Sequence, residues 1–420
     1  MLSFRQDKKG VTLKKLFFIF FIPIFLMGEN LNELIDLSIK NKLVDSYKKD
    51  VESLKDEYTS VKRGYLPSFD VNASYSKANH ETQSRPNKDT TVSASVDFIV
   101  YDGGKRESTF DNYKMNIKSS KKTLESVKNQ IALDVTKYYY TYLTLLAKKD
   151  AKIKEIKQLN AEHKRLSKFL DVGSTTEDEV QKIVSRVERS TVDLHEIELD
   201  LQTVIHNLEY ITGKKVDIQS GSEVKMFEDN INEQRDDIEA LKYSMKAKLE
   251  NVGIAKSDYF PTISLNNTYS HYDMDFDNRT FSQPYDDQNV FSVNLKWNIF
   301  SFGKTKNDYE SKYKRYLSAK SNYEYERNKA DVDLELAKKS YGIAILKIKS
   351  AKAGLVAANS AYKVIKSKYQ NGLIDNVAFL EALSEKYDAI SVLKEAEYDL
   401  QVKRANVIYN SGKDIKDYIK

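Results

Sequence analysis

Four stretches of the chain alternate apolar and polar residues with a period of two. Along 289–300, Phe291, Val293, Leu295, Trp297 and Ile299 share one face, and Ser292, Asn294, Lys296 and Asn298 share the other. Val92, Ala94, Val96, Phe98 and Val100 oppose Thr91, Ser93, Ser95 and Asp97. Phe69, Val71, Ala73 and Tyr75 oppose Ser68, Asp70, Asn72 and Ser74. Ile263, Leu265 and Tyr269 oppose Thr262, Ser264, Asn266 and Thr268, with Asn267 a polar break in the apolar row. This period predicts β-strands near 67–77, 91–101, 261–271 and 289–300.

One apolar and one polar face suit either a soluble sheet with a wet side or a membrane barrel with a polar lumen. Runs of about ten residues match the span of a tilted membrane strand. On the barrel reading, Asp97, Asn294, Lys296 and Asn298 face the lumen. Four strands cannot close around a lumen, and an open edge cannot exist in hydrocarbon. The barrel reading therefore requires association; three copies would supply twelve strands, and strand counting alone leaves a dimer open as well.

Between the strands the pattern becomes helical. No proline lies between Pro86 and Pro261, or after Pro284. Such tracts allow uninterrupted helices, because an internal proline costs about 3 kcal/mol. Long helices are predicted over 104–172 and 303–371, each on the order of 100 Å at 1.5 Å per residue. Returning helices follow over 175–212 and 375–411. Leu194, Ile197, Leu201, Val204, Leu208 and Ile211 recur at alternating three- and four-residue steps, which is a coiled-coil seam. Leu380, Leu383, Tyr387 and Ile390 start the same seam in the second half. Gly173 and Gly372 stand where each hairpin reverses. Shorter helices are predicted near Leu31–Arg63 and Asp236–Ser257.

The chain says nearly everything twice. "YLPSFDVNASYS" from Tyr65 is echoed by "YFPTISLNNTYS" from Tyr259. Gly104 and Gly303, Gly173 and Gly372, and Gly213 and Gly412 are each 199 residues apart. Two tandem copies of one unit follow, 29–220 and 221–420, each a long helical hairpin with two strands. The predicted class is mainly α with membrane β-strands.

Residues 1–28 carry Lys14 and Lys15, an apolar run from Leu16 to Met27, then Gly28. That arrangement reads as a signal peptide and implies export. Its removal takes away five basic residues and one acid, leaving 62 basic against 61 acidic. A balanced charge gives no nucleic-acid footprint. The absence of cysteine excludes disulfides and thiolate metal sites.

No constellation for catalysis emerges, and neither an enzyme nor a cofactor is expected. The five histidines show no HxxxH or HExxH spacing. "NIFSFGKT" ends like a phosphate loop, but Asn298 occupies the required first glycine. Asp273, Asp275 and Asp277 begin like a calcium loop, yet Asn278 replaces the turn glycine and Pro284 the bidentate glutamate. The tyrosines of 138–142 are expected to pack within the helical hairpin.

The "YxP" strand starts at Tyr65 and Tyr259, the helix starts "DGGK" and "SFGK", the two Gly turns and the closing "ITGK" come in a fixed order. Over roughly 29–413 this order resembles the TolC family of outer-membrane efflux proteins. The resemblance implies a homotrimer: a twelve-stranded barrel in the outer-membrane lipid, joined to an α-helical tunnel in the periplasm. It implies an exit duct of a tripartite efflux or type I secretion system. Its partners would be a periplasmic adaptor and an inner-membrane pump.

The same resemblance makes Leu170, Val172, Gly173 and Ser174, with Asn371, Gly372 and Leu373, the adaptor-docking tips. It puts the family's latch tyrosine at Tyr369, its arginine position at Ile374 and its ring acids at Ala378 and Glu381, with Asp375 nearby. Glu179 falls at the acidic latch partner. Ile374, Ala378 and Asn371 depart from the family pattern. The alternative from the residues alone is an elongated coiled-coil scaffold, periplasmic or at the surface, whose strands form a soluble sheet.

Overall fold

The structure is a computed structural model that describes residues 28–226, 233–283 and 285–420. The expected signal segment lies outside the described residues apart from Gly28, as does Pro284. Helices α1 (Leu31–Ser38) and α2 (Lys42–Gly64) precede strands β1 (Ser68–Lys77) and β2 (Lys88–Tyr101). Then come α3 (Lys105–Asp171) and α4 (Glu177–Thr212). The second half repeats the order with α5 (Asp236–Ser257), β3 (Thr262–Asp275), β4 (Asp287–Lys296), α6 (Lys304–Gln370) and α7 (Asn376–Asn410). A short 3₁₀ turn, Ile415–Tyr418, ends the chain.

The first predicted helix is two helices. Asn41 interrupts it, because its side chain accepts the Val44 N–H at 2.9 Å and so starts a new helix. The Asn41 amide also donates to the Ile211 carbonyl at the end of α4, at 3.1 Å. That bond stacks α2 end to end on α4. The α7–α5 joint is built likewise: Glu233 N–H donates to Ser411 O at 2.9 Å, and Arg235 to the Asn410 side chain at 3.1 Å. A Cβ at Gly412 would collide with the Glu233 carbonyl, so this joint requires glycine. Each pair of stacked helices lines up beside a 67-residue helix, α3 or α6.

Two cores hold the helices together. One lies midway, where Leu34, Val135, Leu208 and Ile408 bring α1, α3, α4 and α7 into one cluster. Tyr139 and Tyr140 are buried there. Their hydroxyls donate to Gln219 O at 2.9 Å and Ser222 O at 3.0 Å, which satisfies the only polar atom of each ring. The tyrosines pack within the hairpin as expected, since Tyr139 and Tyr140 share this cluster with Val204 and Leu208 of α4. Their hydroxyls also anchor the segment between the repeats, and Tyr140 meets Tyr398 of α7. The second core lies at the hairpin ends, where Leu166, Ile183, Tyr362 and Leu383 join α3, α4, α6 and α7.

The strands form one antiparallel sheet in the order β1-β2-β3-β4. Among the described residues, both β1 and β4 are unpaired on their outer side. β2 begins three residues before the predicted run and β3 continues four beyond it. β4 stops early, at Lys296. Thr262 faces Lys296 across the ladder, so residue 297 would face Pro261, which has no N–H to give. Trp297 instead donates its indole N–H to Tyr259 O at 3.1 Å.

Candidate functional site

The sheet sorts its residues by register. Phe69 faces Val96, Val71 faces Ala94, Phe98 faces Leu265 and Leu265 faces Val293, so most apolar residues of the four strands share one side, with Ile99 and Val290 on the other. Phe69 is 70% exposed and Phe291 65%. On the other side Ser68 faces Asp97, Asp97 faces Asn266, and Ser264 faces Asn294. Asn266 donates to Asp97 Oδ1 at 2.7 Å, and Thr268 donates to Asn266 at 3.1 Å. The structure therefore places Asp97, Asn294 and Lys296 together on a polar face. Asn298, expected beside them, lies past the end of β4, because the ladder ends at Lys296.

On the apolar side Tyr75 is exposed near the end of β1 and Tyr269 midway along β3, and Trp297, Phe300 and Phe302 lie exposed past the end of β4. Where β2 begins and β3 ends, Asp275 pairs with Lys88 at 2.9 Å, and just beyond them Asp277 takes the Asn87 amide.

At the far end of the helices, both turns have one design. Gly173 N–H donates to Leu170 O at 2.9 Å and Ser174 N–H to Phe169 O at 2.7 Å. Gly372 N–H donates to Tyr369 O at 3.0 Å and Leu373 N–H to Lys368 O at 2.9 Å. These paired bonds satisfy the last carbonyls of α3 and α6 and require a residue at positive φ, here +70° and +72°. Val172 and Leu373 project from the turns, each 72% exposed. Ser174 and Asn371 are exposed beside them, whereas Leu170 packs onto the tip core.

A family model for outer membrane efflux proteins matches residues 36–214 and 229–411. The chain belongs to the outer membrane efflux protein family. Its place is the outer membrane, with the helices as a periplasmic extension. It is 24% identical over 162 residues to the outer membrane protein TolC of Vibrio cholerae, which spans 38% of this chain and 37% of that relative. Among solved structures, the Campylobacter jejuni CmeC outer membrane channel is similar with a TM-score of 0.83 and 19% identity, over 92% of this chain and 86% of that one. The outer membrane protein VceC of Vibrio cholerae is similar with a TM-score of 0.81 and 15% identity, over 92% and 96%. At such identities the structures show the shared fold.

Within this efflux-family protein, the residues singled out near the tip have definite neighbours. Tyr369 donates its hydroxyl to Glu162 Oε1 at 2.9 Å and stacks on Phe379 with ring centres 4.6 Å apart. Arg165 holds the same carboxylate through its Nε at 2.7 Å and lies 4.8 Å over the Tyr369 ring. Burial, and then the Glu162 carboxylate, push the Tyr369 hydroxyl pKa up, so it stays a donor. The sequence reading missed Glu162 and Arg165. Their only linear signal is a three-residue helical spacing, which charged helices carry everywhere.

Glu179 is engaged elsewhere within the chain: it meets Lys182 at 2.8 Å, and its carbonyl accepts from Asn376 at 3.3 Å. Asp375 caps α7, accepting the Ala378 N–H at 3.0 Å, so its charge sits at a helix N-terminus. Ile374 is half-buried. Glu381 is exposed and makes no salt bridge with any described residue.

Proposed function

We propose that three copies of this chain close a twelve-stranded barrel and a continuous helical tunnel. The assembly is a passive exit duct, loaded by a separate energised pump in efflux or type I secretion. The observation that carries this reading is the sheet. Its four strands are mainly apolar on one side and mainly polar on the other, and among the described residues both edges are unpaired, which hydrocarbon does not tolerate. Other copies can supply the missing pairs.

The helices support the same assembly. Exposed Tyr325, Val332, Leu336 and Ile343 share one face of α6, and Val192 and Leu199 one face of α4. A neighbour covering these rows would convert exposed apolar area into interface. On this reading Leu170, Val172, Gly173 and Ser174, with Asn371, Gly372 and Leu373, form the tip that an adaptor meets. Asp97, Asn294 and Lys296 line the barrel.

Glu381 is the strongest ring acid, since its carboxylate is uncommitted, and a ring of like charges favours cations. Tyr369 with Glu162 and Arg165 ties α6 to α3 beside it. The decisive experiment is purification from outer membranes with native mass spectrometry and planar-bilayer recording. A conducting, heat-modifiable trimer is expected; a water-soluble monomer would overturn the proposal.

A further inference from the structure

Away from both sheet and tip, a groove of about 520 Å³ runs between α2 and α3. Its floor is apolar: Val51, Leu124 and the ring of Tyr243 reaching over from α5. Its walls are cationic. Lys48 and Lys55 stand seven residues apart on α2, opposite Lys118 and Lys121 on α3.

The groove's own carboxylates do not neutralise these walls. Glu52 attracts Lys48 and Lys55 through space, but its hydrogen bond goes to Lys49 at 2.7 Å. Glu125 pairs with Lys128 at 2.9 Å. Nearby Lys122 is taken by Asp236 at 2.8 Å and Glu239 at 3.3 Å. None of the four wall lysines forms a salt bridge with any described residue. Lys118 lies 5.6 Å from the centre of the Tyr243 ring, and Lys246 lies 5.8 Å from it, adding a further cation at the rim. In a chain whose overall charge is only +5, this concentration is local.

We propose that the groove receives an acidic amphipathic helix of a partner protein. Two neighbouring helices leave a furrow into which a third helix fits a ridge of side chains. An apolar stripe would lie on Val51, Leu124 and Tyr243. Flanking carboxylates at heptad spacing would meet Lys48 and Lys55 on one side and Lys118 and Lys121 on the other. Lipid phosphates are out of reach. Lys118 and Lys121 lie 13 and 16 residues along α3 from Lys105, which is roughly 20–24 Å beyond the foot of the sheet. That distance rests on the sheet being the membrane part.

The test uses the full chain in detergent and a fluorescent synthetic peptide of three heptads, with Leu at a and d and Glu at e and g. A second peptide carries Lys in place of Glu. Anisotropy should show binding of the Glu peptide that weakens with salt, and binding of the Lys peptide weaker by about tenfold or more. Lys48→Glu with Lys55→Glu, or Lys118→Glu with Lys121→Glu, should weaken the Glu peptide by about tenfold or more and strengthen the Lys peptide. Equal binding of both peptides, insensitivity to these changes, or equal competition by phosphatidylglycerol vesicles would overturn the proposal. So would photo-crosslinking from position 118 to a second copy, which would show the groove to be covered within the assembly. Conductance of the same preparation reports separately on the duct.

Discussion

Tyr369 shows how one residue gathers a site. Its ring stacks on Phe379, its hydroxyl donates to Glu162, and Arg165 bridges the two. Glu162 is only 13% exposed, so its charge depends on those donors. Tyr369→Phe should cost about 1–3 kcal/mol in stability, read by thermal unfolding. If the contact also restrains the tip, single-channel conductance should rise in the same variant.

Glu381→Gln leaves packing untouched, and should relieve block by divalent cations in planar bilayers; unchanged block would remove Glu381 from the pore lining. Glu250 supplies a pH signature. Burial, then Asp111 and Glu107, raise its carboxyl pKa above the ordinary 4.5. Between 4.5 and the raised value the folded chain holds a proton that the unfolded chain has released. Its contribution to stability is therefore lost as pH rises through that window. Glu250→Gln should flatten this part of the melting profile.

Among the elements, the sheet makes the sharpest demand. Val293 and Asn294 are neighbours in β4 but lie on opposite sides. Val293→Arg should destabilise the trimer by about 2–4 kcal/mol if that side meets lipid, whereas Asn294→Arg should leave folding intact and shift ion selectivity. Urea-resistance of the trimer and reversal potentials distinguish the two. The helices depend on their ends. Asp375→Ala removes the α7 cap and should cost about 1 kcal/mol, seen as a lower melting midpoint without loss of trimer.

For the whole molecule, the single chain is conspicuously incomplete. Its sheet has two open edges, and α6 leaves an apolar row uncovered. In the proposed trimer stability and association are linked, and unfolding of the assembly should depend on protein concentration. Family membership fixes the outer-membrane setting. The acidic-helix groove on the α2–α3 face, if occupied, would give the proposed tunnel a point of attachment away from the hairpin turns.

The sequence by itself determined whatever depends on near neighbours along the chain. A period of two placed four strands and sorted their faces, long proline-free tracts placed the 67-residue helices, and paired glycines marked both turns. Each signal is local, because side-chain direction and backbone freedom are set within a few residues. Tertiary structure decided the rest. β4 stops at Lys296 because its partner across the ladder reaches Pro261, and the first helix breaks at Asn41 because that side chain caps α2 and ties it to α4. Tyr369 finds Glu162 from 207 residues away, where two helices of different repeats meet. No local pattern encodes such a meeting, since it follows from how the hairpins pack against each other.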